Sequence, residues 1–224
     1  MTTAEFDEDQ RLETLDRPAR LSVEDLFRNL ELPVAFVGNG TVSKEYGDLI
    51  DSHKSIIRCN NFQLDGFEKF VGKRSTHWCV HGKVDRVPFM RPWKRWFYGN
   101  FDRWRLVGIK SNKHIVPGTP IFMPKAFELL AVNGFKKYFH TDLYCVRDAS
   151  LIYPIHRAIP TATTGFMAMY LLVQFVPEVS VFGFSGMQGG HYYNAAHKHN
   201  TRHLPTALRE LLLIKNSRRV HFYE

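Results

Sequence analysis

Val34-Ala-Phe-Val-Gly-Asn-Gly40 is a four-residue apolar run cut off by a turn. A run this short, with no polar residue inside it, reads as a strand buried on both faces. The glycines let the backbone turn at once, and Asn39 offers both a donor and an acceptor. The same grammar recurs outward from it. Upstream, Ser22-Val-Glu-Asp25 is a capping signal that opens a helix to about Leu30, and Pro33 separates that helix from the strand. Downstream, a polar helix is expected over Lys44–Asp51 and a strand over Ser55–Cys59, ended by Asn60-Asn61. Further strands are expected at Leu106–Ile109, Asp142–Val146, Val179–Phe184 and Arg219–Tyr223. Helices are expected after Pro124, over Thr164–Val176 and after Pro205, since proline suits a first helical turn. Strands alternating with helices predict an α/β fold: a single Rossmann-like domain whose mostly parallel sheet is flanked by helices.

The chain has 224 residues, 44% of them hydrophobic and 14% aromatic, which suits one domain with a substantial core. Residues 1–20 are acidic and polar and read as a flexible leader to a domain over 21–224. They lack the apolar centre of a signal peptide. The longest apolar stretch, Phe166–Val176, falls short of the ~18 residues of a spanning helix. Cys59, Cys79 and Cys145 are odd in number and form no CxxC pair. They read as small buried hydrophobes in a reducing compartment, not as a disulfide framework or a zinc site. The expected location is therefore cytoplasmic. A formal charge of +8 favours a polyanionic partner: nucleic acid, anionic lipid or a phosphorylated substrate.

Ligands of such sheets sit beyond the carboxyl ends of the strands. Three polar clusters fall there: Gly38-Asn39-Gly40, Asn60-Asn61, and Thr161-Ala-Thr-Thr-Gly165 at the start of the long apolar helix. Free amides and hydroxyls at a helix N-terminus make a phosphate or carboxylate site. Each cluster also has a plainer reading. Gly-Asn-Gly can be merely a turn, and Thr163 merely an N-cap. The fourth cluster runs from Gly189 to His203 and holds His191, His197, His199 and His203. Imidazoles near neutrality can act as acid, base or phosphate donor. A metal set of His197, His199 and His203 is the alternative, but no carboxylate lies within the stretch.

Taken in order, these clusters resemble the sialyltransferase family, glycosyltransferase family 29. The large sialylmotif resembles Val34–Gly40 through Ile50-Asp-Ser-His53, then Ile56-Ile-Arg-Cys-Asn60 and Val71-Gly-Lys-Arg-Ser-Thr-His77. The small motif resembles Ala162-Thr-Thr-Gly165, the apolar helix and Glu178–Phe184. The third motif resembles His191-Tyr-Tyr-Asn194, and the very small motif a histidine before the last helix, His203. The resemblance implies a GT-A-variant fold and a CMP-sugar donor, carrying sialic acid or a related ulosonic acid such as Kdo, with a glycan acceptor. It implies inversion without a metal or other cofactor. Gly38, Asn39 and Asn60 would meet the donor's phosphate and nucleoside. Thr163, Thr164 and Gly165 would hold the nucleotide and the sugar carboxylate. His191, helped by Tyr192, would donate to the departing phosphate, and His203 would be the general base.

The chain also departs from the family's pattern. Animal members pair a cysteine in each main motif, whereas Val176 or Pro177 and the neighbourhood of Ala35 stand in those places. This points to a short bacterial-type member. The family sets a glutamate five residues after the base, but Leu208 lies five after His203 and Leu204 five after His199. His203 is preferred because a proline-started helix follows it, with His199 the rival, and Glu210 reads as a helix-surface charge. Finally, residues 91–105 interleave Trp93, Trp96, Phe97, Phe101 and Trp104 with Lys94, Arg95, Arg103 and Arg105. They read either as an amphipathic segment packed on the core or as a peripheral contact to an anionic membrane face. No nucleic-acid partner is expected. A non-catalytic nucleotide- or nucleic-acid-binding module is the competing reading, because the same residue types stack on single strands.

Overall fold

The structure is a computed structural model and describes residues 22–80, 114–116, 118–124, 143–146, 148–197 and 203–224. The leader, the stretch 91–105, the strand expected at Leu106–Ile109, the helix expected after Pro124, and His199 all lie outside the described residues.

Helix α1 (Val23–Arg28) begins at the expected cap, where Ser22 Oγ accepts from the Asp25 N–H at 2.9 Å. That bond satisfies one of the unpaired donors of the first turn. Strands β1 (Val34–Val37) and β2 (Ser55–Cys59) have the expected bounds and are buried throughout. Helix α2 (Gly47–Asp51) starts later than expected, at the point where Gly47 meets the next helix. A β-carbon on Gly47 would lie 2.0 Å from the Glu68 carbonyl oxygen. That next helix is α3 (Glu68–Val71), followed by β3 (His77–Cys79), β4 (Ile121–Met123) and β5 (Leu143–Cys145). A 3-10 turn (Ala149–Leu151), helices α4 (Tyr153–Ala158) and α5 (Thr164–Phe175), strand β6 (Val179–Phe182), helix α6 (Leu204–Lys215) and strand β7 (Val220–Tyr223) follow among the described residues. Elements α3, β3, β4 and α4 have no counterpart in the sequence reading, because runs of three to six residues are too short to show a period. Strand β6 ends before the expected Phe184, since Gly183 turns the chain with φ +66°.

The sheet has the order β5-β4-β3-β2-β1-β6-β7, and every described pairing is parallel. Both faces are covered. Val34 and Phe36 point into a core shared with Phe27 of α1 and with Phe166, Met167 and Leu171 of α5. Ala35 and Val37 point the other way, toward Ile50, Ile56 and Phe182. This alternation explains why β1 reads as an unbroken apolar run. The chain builds the sheet outward from β1 to β5, then returns to lay β6 on the other side of β1. The β1/β6 junction is therefore the topological switch point, where the loops leaving adjacent strands run in opposite directions and open a crevice.

His77, at the start of β3, receives or gives a hydrogen bond at Thr76 Oγ1, 2.8 Å from its Nδ1. Burial pushes its pKa down to about 4. The folded protein thus holds it neutral, while the unfolded chain takes up its proton near pH 6.5. Unfolding is favoured as pH falls through that window, so stability drops from pH 6.5 toward pH 4. The expected loss between pH 7 and pH 5 is at most about 2 kcal/mol, less whatever the ring's partial exposure screens. Urea melts at the two pH values check this, and His77→Asn should flatten the difference.

Candidate functional site

The crevice at the switch point is a real cavity, with a volume of about 150 Å³ and an open mouth. That is room for a phosphate or a small ring, below the ~300–1,000 Å³ of a pocket that encloses a whole ligand. The loops after β1 and β6, Asn60 at the end of β2, the start of α5 and the inner face of α6 line it. Its floor is a contact between two backbones. Gly38 N–H donates to Phe182 O and Gly40 N–H to Gly183 O, both at 2.8 Å. A β-carbon on Gly38 would lie 2.4 Å from Gly183 O, and one on Gly165 would lie 2.9 Å from the Phe184 ring. That ring stacks on Phe36, with centroids 5.4 Å apart. These glycines are thus required for packing as much as for any ligand.

Asn39 and Asn60 both line the cleft, but they offer different chemistry. Asn39 Nδ2 donates to Cys59 O at 2.9 Å and to Asn61 O at 2.7 Å. Two carbonyl partners set the amide orientation and use both of its hydrogens. Oδ1 is buried with no hydrogen-bond partner among the described residues. With both amide hydrogens used, the Asn39 side chain has only this acceptor left, and it has no donor for a phosphate. Asn60 adopts φ +50°, a conformation asparagine tolerates better than most residues. Its N–H donates to Cys79 O at 2.7 Å, and its carbonyl accepts from Trp78 Nε1 at 2.6 Å. With its backbone held this way, its side chain is exposed at the cleft. Behind it, Arg58 is 1% exposed, and burial lowers its pKa to about 10. Its Nε and Nη2 donate to Arg74 O and Val71 O at 2.9 and 2.6 Å, bracing the end of β2.

The start of α5 corrects two sequence expectations. Thr163 is the N-cap, and its Oγ1 accepts from Phe166 N at 3.2 Å. The same hydroxyl donates to Glu210 Oε2 at 2.6 Å, and the Thr163 N–H donates to Glu210 Oε1 at 2.9 Å. Glu210 is 4% exposed, so it is no helix-surface charge. Its carboxylate occupies the first anion position of this terminus, which removes Thr163 as a ligand donor. Thr164 is buried, and Gly165 lines the cleft. Backbone amides of such a helix start are the groups that suit a bound anion.

The histidine-rich stretch divides likewise. His191 lines the cleft and pairs with Asn194 through two backbone hydrogen bonds of 3.0 and 2.9 Å. Its ring lies on that of His197, with centroids 3.7 Å apart and planes at 16°. The polar groups of Tyr192 are engaged away from the His191 ring. The Tyr192 hydroxyl donates to Gln63 O and accepts from Gln63 N at 3.1 Å, and its N–H donates to Asn39 O at 3.1 Å. Burial pushes this phenol up to about 12. Tyr192 is a brace between loops, placed outside the cavity lining. His203 stands just before α6, with Nδ1 2.5 Å from Thr161 O. It lies outside the cavity lining, four and seven residues before Ala207 and Glu210, on the helix face that does line it. Cys59 and Cys79 are free and buried, as expected. Among the described residues, no three of His, Cys, Asp and Glu stand together as metal ligands.

Glu210, expected on the helix surface, is thus part of the cleft wall. Glu210→Ala would strand the Thr163 N–H in a buried place, at a cost of about 1–3 kcal/mol. It should also loosen the α5 terminus, lowering nucleotide affinity along with stability. Glu210→Gln keeps one acceptor and should lose less on both counts. Chemical denaturation and calorimetric titration of CMP on the two variants check this ordering.

The sequence model of glycosyltransferase family 29 (sialyltransferase) matches residues 28–84. The chain is 27% identical over 172 residues to the CMP-N-acetylneuraminate-beta-galactosamide-alpha-2,3-sialyltransferase 1 of Sus scrofa, covering 71% of this chain and 46% of that protein. It is 49% identical over 47 residues to a beta-1,6-galactosyltransferase of Arabidopsis thaliana, covering 20% of this chain and 12% of that one. The chain therefore spans less than half the length of the curated relatives it matches. A crystal structure of a mammalian sialyltransferase in complex with Gal-beta-1-3GalNAc-ortho-nitrophenol aligns over 99% of this chain and 87% of that chain, with 15% identity and a TM-score of 0.47. Residues 28–84, which carry β1, the Gly38–Gly40 turn, β2 and Asn60, are the part of the chain that is similar to glycosyltransferase family 29.

Proposed function

We propose that the protein is an inverting, metal-independent glycosyltransferase that moves sialic acid, or a related ulosonic acid such as Kdo, from a CMP donor to a glycan hydroxyl. The observation that supports this best is convergence. The turn after β1, Asn60, the start of α5 and His191 border one cleft at the switch point of a parallel sheet.

The chemistry fits those groups. The anomeric carbon of a CMP-linked ulosonic acid is tertiary, so its bond to the phosphate can loosen early. The acceptor oxygen attacks that carbon while its proton passes to His203, and the C–O bond to phosphate breaks with its electron pair left on CMP. If Nδ1–H of His203 donates to Thr161 O, the lone pair stays on Nε2, the state a general base requires. His191, at the cleft, offers an N–H to the departing phosphate, and the helix N-terminus of α5, where Gly165 lines the cleft, stabilises the same charge.

A second reading concerns the donor alone. The Arabidopsis relative is named a galactosyltransferase, and Glu210 puts a carboxylate on Thr163, one of the groups expected to hold the sugar's carboxylate. Both favour a nucleotide-linked sugar without a carboxylate.

Incubation with CMP-sialic acid, CMP-Kdo and nucleotide-linked galactose, each with and without EDTA, separates these readings. Turnover of a CMP donor that EDTA leaves unchanged is the expected result. His203→Ala should cut that turnover by ~10²–10⁴-fold while CMP binding stays within a few-fold. Turnover of nucleotide-galactose alone would establish the second reading. No turnover of any donor, with steeply salt-dependent oligonucleotide binding, would mark a binding module instead.

A further inference from the structure

Helix α6 is turned opposite to the usual sense. Its buried residues are Ala207, Glu210 and Ile214, so its one carboxylate faces inward. Four of its five leucines face out: Leu204, Leu208, Leu212 and Leu213 are between 46% and 58% exposed. Leu204, Leu208 and Leu212 are spaced four apart and form one stripe, about 12 Å long. Arg209 is exposed beside it, and Lys215, Arg218 and Arg219 are exposed toward its C-terminal end. No carboxylate is exposed on α6 itself, and the nearest one in sequence, Glu224, is paired with Lys215.

We infer that this face seats the protein on an anionic lipid surface. Exposed leucines flanked by Arg209, Arg218 and Arg219, on a helix with no exposed acid of its own, match the composition of a helix lying in a membrane interface. The formal charge of +8 adds attraction to a negative leaflet. A second copy of the chain fits less well. Two stripes of this length would bury less than the roughly 1,000 Å² that a stable interface needs. A two-fold axis through them would also set the two Arg209 side chains near each other. The opposite face of α6 lines the cleft through Ala207, Glu210 and Leu211, so seating the leucines holds the cleft's edge at the lipid. If the glycosyl-transfer reading is right, acceptors carried on lipid are then favoured. The lipid contact itself does not rest on that reading.

The test is vesicle flotation of the full chain. Phosphatidylcholine–phosphatidylglycerol vesicles should carry the protein up the gradient, and phosphatidylcholine alone should carry much less. The double variant Leu208→Gln/Leu212→Gln should bind the anionic vesicles at least ~10-fold more weakly. Arg209→Gln should weaken binding about 5-fold. Calorimetric titration of CMP and circular dichroism should be unchanged in both, since none of these side chains lines the cleft. Absence of the wild type from floated anionic vesicles overturns the inference. So does undiminished flotation of the double variant, which would move the contact elsewhere on the chain. A wild-type dimer that the double variant turns into a monomer in sedimentation velocity overturns it in favour of self-association.

Discussion

Two bare backbones touching at Gly38 and Gly183 set the geometry of the whole cleft. The turn after β1 donates from Gly38 and Gly40 into the chain leaving β6, at 2.8 Å in each case. No side chain fits between them. Because the sheet grows outward on both sides of this junction, the contact sits where strand order reverses. A β-carbon on either glycine would part the loops that define the crevice.

Glu210 ties this junction to the rest of the molecule. Burying a carboxylate is costly unless its oxygens find donors, and here both do, at Thr163. The pair joins the last helix to the first turn of α5 and fixes how α6 is rotated about its axis. Once Glu210 faces in, Leu204, Leu208 and Leu212 must face out, because they lie on the other side of the helix. One internal hydrogen-bonded pair thus determines both the polarity of the cleft wall and the apolar character of an outer surface.

The polar residues around the cleft differ in where they stand: some brace loops, and others line the cavity. Tyr192 gives its hydroxyl to Gln63, Thr163 gives its hydroxyl to Glu210, and the Asn39 amide hydrogens go to two carbonyls. These groups hold loops in register. Asn60, Gly165 and His191 stay at the cavity wall, and His203 is anchored through one ring nitrogen. Anchoring through Nδ1 orients the imidazole at little entropic cost, which is the preorganisation that proton transfer benefits from.

Read alone, the amino-acid sequence determined the local elements whose signals are local. The Ser22 cap, the doubly buried run Val34–Val37 and the apolar helix from Thr164 were all legible, because capping and hydrophobic patterning act over a few neighbouring residues. It also marked the turn after β1, Asn60, the start of α5 and His191 as the polar groups of one site. Strands of three residues such as β3 and β4 escaped it, since their stability comes from neighbours distant in the chain. Only the tertiary structure decided which polar atoms are consumed and which remain. The partner of Thr163 lies 47 residues away and that of Tyr192 lies 129 away. A hydrogen bond across such a distance is set by packing, and nothing in the spacing of residues along the chain announces it.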